Sequence, residues 1–198
     1  MSRGDDTRPA RAPEAERKGQ RTRRQILEAA RAVFGDVGYE RATIRGIASA
    51  ANVDKSSIVK YFGTKQKLFE EAVTWTIPIH DVVSEDPSQT AQNLARGMLA
   101  AWAADPNSPM AVLLRASMTS EDAAQILRTH ITYHAISAIA TTIDTPDARL
   151  RAALIGAMLM GIASQRYLLR MPDLVDVDTE HILRLITPAL RAVIDPGE

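Results

Sequence analysis

The sequence predicts an all-α protein of about nine helices, in which a small N-terminal bundle of three helices precedes a larger helical domain. Apolar residues recur at intervals of three and four along most of the chain, which is the spacing of amphipathic helices. No segment shows the alternation that is typical of a half-buried strand. Two short helical segments, residues 44–51 and 55–62, flank a tight turn, a pattern typical of a helix-turn-helix.

The first helices are delimited by capping residues and by glycine. Residues 1–20 combine arginine, proline and acids without an apolar period, which predicts a disordered basic arm. Thr22, with Gln25 three residues later, is the expected capping box of the first helix, and Gly38 is its expected end. The second helix is expected to begin after Thr43.

The tight turn that follows is centred on Asn52, because asparagine tolerates the left-handed backbone conformation. Asp54 is the expected cap of the third helix, and Thr64 is that of the fourth. We therefore place a helix-turn-helix domain at residues 21–66 and a second domain at residues 67–198.

The second domain is expected to contain helices only. Capping residues and apolar periods predict them at residues 89–104, 110–118, 121–143, 147–169 and 179–194, with Thr179 as the expected cap of the last one. The helix at 147–169 is apolar on several sides and carries small residues such as Ala157 and Gly161 on one of them. Such a helix needs two partners, so we expect it to pack against its own core and against a second subunit.

Charge is distributed unevenly, although the formal net charge is zero. Residues 1–70 carry 15 basic and 9 acidic residues, whereas residues 71–198 carry 9 basic and 15 acidic residues. A basic front half on an acidic back half predicts that the N-terminal part meets a polyanion.

Basic residues follow the expected caps of all four N-terminal helices: Arg23, Arg24, Arg45, Lys55 and Lys65. A cation in the first turn opposes the helix dipole at a cost of roughly 0.3–1 kcal/mol. A phosphate bound at the helix N-terminus offsets this cost, so the pattern favours nucleic acid as the partner. Surface positions at which solvent screens the penalty remain the alternative interpretation.

The helix after the tight turn is the one that enters the major groove in helix-turn-helix proteins. Lys55, Ser56 and Ser57 occupy its first turn, where lysine can donate to guanine and serine can bond to bases or phosphates. Lys60 and Tyr61 lie one turn later and suit contacts with the DNA backbone or base edges.

The stretch from Gly38 to Val73 reads GYERATIRGIASAANVDKSSIVKYFGTKQKLFEEAV. In spacing and residue types it resembles the DNA-binding domain of the TetR family, and the resemblance covers about residues 22–75. The resemblance implies DNA contacts at Thr43, Arg45, Lys55, Ser56, Ser57, Tyr61 and Lys65. It also implies a homodimer formed by the last two long helices, here near 147–169 and 179–194, on a near-palindromic operator.

The stretch departs from the family pattern at three positions. Asn52 replaces the usual glycine and Asp54 the usual serine, and both still suit a turn and a cap. Val59 replaces a tyrosine that reaches the DNA backbone, so we assign no DNA contact to it. We expect Lys60, beside it, to replace the lost anchor.

A ligand pocket is expected among the middle helices of the second domain, which carry bulky and adaptable side chains. Methionine suits irregular cavities, so the set predicts a mostly apolar ligand. The candidates are Met98, Trp102, Met118, Tyr133, His134, Met158 and Arg166, with Met110 and Met160 as further adaptable residues. His134 and Arg166 are the expected polar anchors. For each residue, plain core packing remains an alternative.

Other classes of protein find little support in the sequence. The chain has no cysteine, P-loop, dinucleotide fingerprint or nucleophile elbow. His130 and His134 have metal-ligand spacing but lack the glutamate of a zinc hydrolase and a third ligand. We therefore expect no enzyme activity, no cofactor and no metal. With no signal peptide and no membrane-spanning segment, we expect a cytoplasmic location.

Together these features predict a transcription regulator, most simply a repressor that a small, mostly apolar effector releases from double-stranded operator DNA. The alternative is a helical small-molecule-binding protein of the same family with weak or lost DNA binding, which the valine at position 59 leaves open.

Overall fold

The computed structural model describes residues 12–75, 78–105 and 107–195, which form helices with short connections. No strand occurs among these residues, which confirms the all-α prediction. Within the same ranges, no helix has both the length and the apolar character needed to cross a membrane.

The N-terminal bundle consists of α1 (Ala12–Arg41), α2 (Ile44–Ala50), α3 (Lys55–Phe62) and α4 (Lys65–Ala72). Gly38 interrupts α1 with φ 79° and ψ 164°, which confirms that the chain leaves the helix there. Residues 12–20 are helical, so the prediction of a disordered arm is wrong for them, and residues 1–11 lie outside the described residues. Alanine, glutamate, lysine and arginine favour a helix in this segment, and Pro13 falls in the first turn, where its missing N–H costs nothing.

The turn between α2 and α3 follows the predicted pattern. The Thr43 hydroxyl accepts a hydrogen bond from the Gly46 amide at 3.0 Å and so caps α2. Asn52 adopts a left-handed φ of 48°. Asp54 stands at the cap position of α3, although its side chain makes no capping hydrogen bond. The domain boundary predicted at residue 66 falls inside α4, which packs against α1.

The second part contains α5 (Ile79–Val82), α6 (Pro87–Ala104), α7 (Pro109–Ser117), α8 (Glu121–His130), α9 (Ser137–Ala140), α10 (Ala148–Ala163), α11 (Pro172–Val175) and α12 (Thr179–Ile194). Wider π turns at Ile131–Ile136 and Ser164–Leu168 join α8 to α9 and extend α10. All nine predicted helices are present among the described residues when α8 and α9 are taken as one. The single turns α5 and α11 are additional, because four residues are too few to show an apolar period.

Two predicted helix caps are wrong. Thr22 lies inside α1, where its hydroxyl donates to the Lys18 carbonyl at 3.0 Å. The cap of α12 is Asp178 rather than Thr179, since the Asp178 carboxylate accepts from the His181 amide at 3.2 Å. Before Thr22, a helix-forming segment extends α1 towards the N-terminus. Before Thr179, Asp178 is a second residue that is able to cap.

Two hydrophobic cores are connected by shared residues. In the first, the rings of Phe34, Tyr39 and Phe69 pack with centroids 4.7–5.9 Å apart. Helices α7 and α8 join this core through buried residues such as Leu113. The second core is built mainly by α6, α10 and α12, and Trp75 packs against both cores. The N-terminal bundle is therefore in direct contact with the second domain.

Candidate nucleic-acid interface and interior cavity

The solvent-facing side of α3 carries the exposed residues Lys55, Ser56, Val59 and Lys60. Their spacing of one, three and one residues places them in a single stripe along the helix. On the opposite side, Ile58 and Phe62 are buried in the first core and fix the orientation of α3. The predicted contact residues Ser57 and Tyr61 flank the stripe and are half-buried.

Three helix starts in this region carry a cation and no acidic residue. Arg45, Lys55 and Lys65 lie in the first turns of α2, α3 and α4. The prediction that Arg23 and Arg24 also lie in a first turn is wrong, because α1 begins at Ala12 rather than at Thr22. At the three remaining starts the helix dipole and the side-chain charge have the same sign, an arrangement that attracts phosphate.

The predicted contact residues at the helix starts differ in their surroundings. Thr43 and Arg45 are exposed at the beginning of α2. Lys65 is half-buried: its Nζ donates to the carbonyls of Tyr39 at 3.0 Å and Ala42 at 3.3 Å, and lies 4.5 Å from the centre of the Tyr39 ring. Lys65 therefore ties the start of α4 to the end of α1, and its DNA contact stays a prediction.

Helix α1 packs against the helix-turn-helix on the side opposite the exposed stripe of α3. Arg23 forms an ion pair with Glu71, and its guanidinium lies 5.1 Å from the centre of the Phe62 ring. Gln25 donates from Nε2 to the Ala51 carbonyl at 2.8 Å, at the end of α2. These contacts hold α2, α3 and α4 against one helix, and so they fix the orientation of the exposed stripe on α3.

A cavity of about 530 Å³ lies between α6, α10 and the π turn that follows α8. Small residues of α6 and α10 form much of its wall, and Trp75, Met98, Met110 and Met160 supply larger apolar surfaces. None of the lining residues that the structure describes is charged. The volume is within the range of pockets that hold small organic molecules.

Asn93 contributes a side-chain amide to the cavity wall, and both the nitrogen and the oxygen of this amide form hydrogen bonds with other residues of the protein. Its Nδ2 donates to the Val82 carbonyl at 3.0 Å, and its Oδ1 accepts from the side-chain Nε2 of Gln89 at 2.8 Å. The described wall therefore offers a ligand few polar groups, chiefly the Asn93 amide and the indole N–H of Trp75.

The predicted ligand residues are mostly elsewhere. Met98 lines the cavity, as do Met110 and Met160. Met118 and Tyr133 are 74% and 70% exposed to solvent, so they do not belong to this wall. Met118 follows the last residue of α7 and Tyr133 lies in the π turn after α8, and their apolar character alone does not distinguish an inward side from one that faces solvent in a single subunit.

The other predicted ligand residues pack in the protein. Trp102 is buried in the second core, and Met158 packs against that core. Arg166 is also buried, with Nη1 donating to the Leu174 carbonyl at 2.8 Å. His134 is exposed and its ring lies 4.3 Å from that of His130, outside the cavity. Trp102, Met158 and Arg166 therefore fit the alternative interpretation, in which they pack within the protein, better than the prediction that they line the cavity.

Trp75 is the cavity residue that sequence reasoning did not single out and that connects the two parts of the protein. It follows α4 closely, lines the cavity and stacks on His130 with ring centroids 3.9 Å apart. Its backbone amide donates to His130 Nε2 at 3.2 Å. Burial lowers the pKa of His130, a hydrogen bond from Nε2 to the Trp75 carbonyl at 2.9 Å opposes this, and nearby His134 lowers it further.

The outer sides of α10 and α12 carry exposed apolar residues. Leu150 and Leu154 lie one turn apart on α10, and Leu185 lies on α12. Among the described residues, no group of three or more histidine, aspartate or glutamate side chains is arranged to hold a metal ion. The features of the second domain are therefore an apolar cavity inside and an apolar surface outside.

Comparison with known proteins agrees with this geometry. Residues 26–72 match the family model described as bacterial regulatory proteins of the tetR family, and residues 89–194 match that of the tetracyclin repressor-like C-terminal domain. The transcriptional repressor AcnR of Corynebacterium efficiens is 44% identical over 48 residues, 24% of this chain and 26% of that protein. The dual regulator CecR of Shigella flexneri is 34% identical over 79 residues, 40% and 34% of the two chains. The chain thus spans about a quarter to a third of the length of these curated relatives.

Solved structures extend the similarity to most of the chain. The TetR-family regulator SCO0857 of Streptomyces coelicolor is 26% identical, with a TM-score of 0.53 over 88% of this chain and 95% of that one. NalD, the secondary repressor of the MexAB-OprM multidrug efflux pump in Pseudomonas aeruginosa, shares the fold at 21% identity, with a TM-score of 0.67 over 87% and 96%. With family models matching both its helix-turn-helix and more than half of its length, this chain belongs to the TetR family of DNA-binding transcriptional regulators.

Proposed function

We propose that the protein is a homodimeric repressor that places α3 of each subunit in the major groove of double-stranded operator DNA. The stripe on α3 is the observation that carries this proposal, because it combines exposed lysine and serine with buried anchors on the opposite side. In this arrangement Lys55 and Ser56 reach base edges, Lys60 meets a phosphate, and Thr43 and Arg45 hold the backbone from α2.

The dimer forms through the outer sides of α10 and α12. Leu150, Leu154 and Leu185 are 60%, 47% and 69% exposed in the single subunit, which leaves an apolar surface to cover. A two-fold dimer presents two copies of α3 in inverted orientation, so the operator is near-palindromic. The protein acts on DNA in the cytoplasm, and we assign it no catalytic role.

A small, mostly apolar effector occupies the cavity and acts through Trp75. An effector that displaces this side chain moves the segment that follows α4 and changes the spacing of the two α3 helices. Operator affinity then falls by the coupling free energy, which is typically about 1–3 kcal/mol.

The test is fluorescence anisotropy with a labelled fragment of the promoter upstream of the protein's own gene, at low and high salt. The native protein should bind tightly and with a steep dependence on salt. Replacing Lys55 and Ser56 together by alanine should weaken binding by about tenfold or more, since each good base contact contributes roughly 1–3 kcal/mol. Arg128→Ala, a change on the exposed face of α8, is the matched control and should have no effect. Absence of binding to any fragment at low salt contradicts the proposal.

A small-molecule-binding protein with weak DNA binding is the second candidate. The observation that favours it is Val59, which is 50% exposed in the middle of the α3 stripe and offers no hydrogen bond to a phosphate. In that case the protein should bind uncharged apolar probes while its DNA binding stays weak and independent of sequence.

A further inference from the structure

Helix α10 presents three different sides. Ala152, Ile155 and Leu159 are buried in the second core, and Ala152 and Leu159 also reach the edge of the cavity. Leu150 and Leu154 are exposed on the outer side. The third side, with Ala153, Gly156 and Met160 at successive turns, lines the cavity, so the middle of this wall is a glycine.

Helix α6 contributes a similar wall, in which Gly97 and Ala101 lie one turn apart. A Cβ atom added at Gly97 or Gly156 would meet no atom within 4 Å, and neither glycine has a positive φ. Gly35 is different, since a Cβ there would lie 2.6 Å from Asn107 Oδ1. Packing and backbone geometry therefore explain Gly35 but do not explain Gly97 or Gly156.

A glycine inside a helix destabilises it relative to alanine. Gly97 and Gly156 both face the cavity, and local geometry requires neither of them. They keep open a space that a larger side chain would fill. The described lining carries no charge, and each polar atom of the Asn93 side chain already has a partner inside the protein, so the space suits a molecule without charge and with few polar groups.

We propose that Gly97 and Gly156 are the size-selecting residues of the cavity, and that they admit an uncharged, predominantly hydrocarbon effector that lies against the bare backbone of α6 and α10. This rests on the proposed function, in which the cavity is the effector site. Charged molecules are rejected because entry would strip them of water without providing a counter-charge.

The experiment measures binding of Nile red, an uncharged dye whose emission rises in apolar surroundings, to the full-length protein. The variants are Gly97→Leu and Gly156→Leu, which should fold because a Cβ at either position has room. Ala100→Leu is the matched control, since Ala100 lies on α6, is exposed and does not line the cavity. Thermal unfolding and DNA binding of every variant confirm that it is folded.

We expect saturable binding to the native protein and to Ala100→Leu, and a loss of about tenfold or more in both glycine variants, because a leucine side chain occupies space that the dye would fill. We also expect anilinonaphthalene sulfonate, an apolar dye with a negative charge, to displace Nile red poorly.

The possible failures are distinguishable. If the native protein binds no uncharged apolar probe, the proposed effector site itself is wrong. If it binds Nile red and both folded glycine variants bind it equally well, the cavity holds a ligand but these glycines do not select it. If the sulfonate dye competes as well as an uncharged one, the inference that charge is rejected is overturned.

Discussion

His130 lies between the two halves of the protein, where it stacks on Trp75. When the neutral ring carries its proton on Nδ1, Nε2 accepts the hydrogen bond from the Trp75 amide, and the same atom lies 2.9 Å from the Trp75 carbonyl. His134, Glu70 and Asp122 are the other titratable groups that line the groove beside it. A proton on Nε2 replaces the accepted hydrogen bond by a donated one and places a charge in a buried site.

The stability of the protein should therefore depend on His130 under mildly acidic conditions. Burial lowers the pKa of His130 in the folded chain, so the unfolded chain binds a proton more readily once the pH falls below about 6.5. The contribution to stability is complete above that pH and is lost as the pH falls through the lowered pKa. Urea unfolding at pH 7.5 and 5.5 should show a smaller loss of unfolding free energy for His130→Gln than for the native protein. Equal losses would show that other groups govern the acid response.

Lys60 provides a second prediction about a single residue. It is exposed beside Val59, and we expect it to hold a phosphate that the valine cannot reach. Lys60→Ala should weaken binding about equally on all DNA sequences and lower the slope of log affinity against log salt by about one per subunit. An unchanged affinity and slope in anisotropy titrations would remove Lys60 from the interface, and Arg128→Ala again serves as the control.

At the level of elements, the turn between α2 and α3 determines how the two helices meet. Asn52 has a φ of 48°, and Gln25 holds the neighbouring Ala51 carbonyl. Asn52→Gly should change the unfolding free energy by less than about 0.5 kcal/mol, because glycine adopts this conformation freely. Asn52→Val should lower it by roughly 1–2 kcal/mol, because a branched side chain is strained there. Similar values for the two variants in urea unfolding would contradict this account of the turn.

The helical elements could largely be read from the sequence, because caps and apolar periods are local signals. Thr43, Asn52 and Gly38 marked helix ends that the structure retains. The start of α1 was missed, because residues 12–20 have helix-forming composition but no apolar side to reveal it. The π turns after His130 and Ala163 carry no local signal that separates them from an ordinary helix.

The cavity was harder to predict than the helices. A glycine or alanine that faces empty space looks the same in a sequence as one that faces a neighbouring helix, so Gly97 and Gly156 could not be recognised. Large residues such as Met118 and Tyr133 were predicted to line the cavity because of their size, although they lie on the outside of the subunit. The size of a cavity depends on how distant helices pack, which no local pattern records.

For the molecule as a whole, the close packing of α1 against α7 is one of the contacts that join the DNA-binding bundle to the second domain. Gly35 permits this approach, because an added Cβ would lie 2.6 Å from Asn107 Oδ1, the atom to which Arg115 Nη2 donates at 2.7 Å. Gly35→Ala should lower the unfolding free energy by about 1 kcal/mol despite the better helix propensity of alanine. In an Asn107→Ala background the same change should become neutral or stabilising, because the crowded atoms are gone. Additive effects in urea unfolding would show that the contact does not limit the packing.

The central claim is that a two-fold dimer reads an inverted repeat through α3, and selection of binding sites from random double-stranded DNA tests it most directly. The native protein should enrich a near-palindromic sequence and bind it in anisotropy titrations with a steep dependence on salt. Leu154→Glu, which places a charge on the outer side of α10, should give a monomer and lose most of that affinity, and joint replacement of Lys55 and Ser56 by alanine should abolish the enrichment. Failure of the native protein to enrich any sequence, or enrichment that persists without Lys55 and Ser56, would contradict the account.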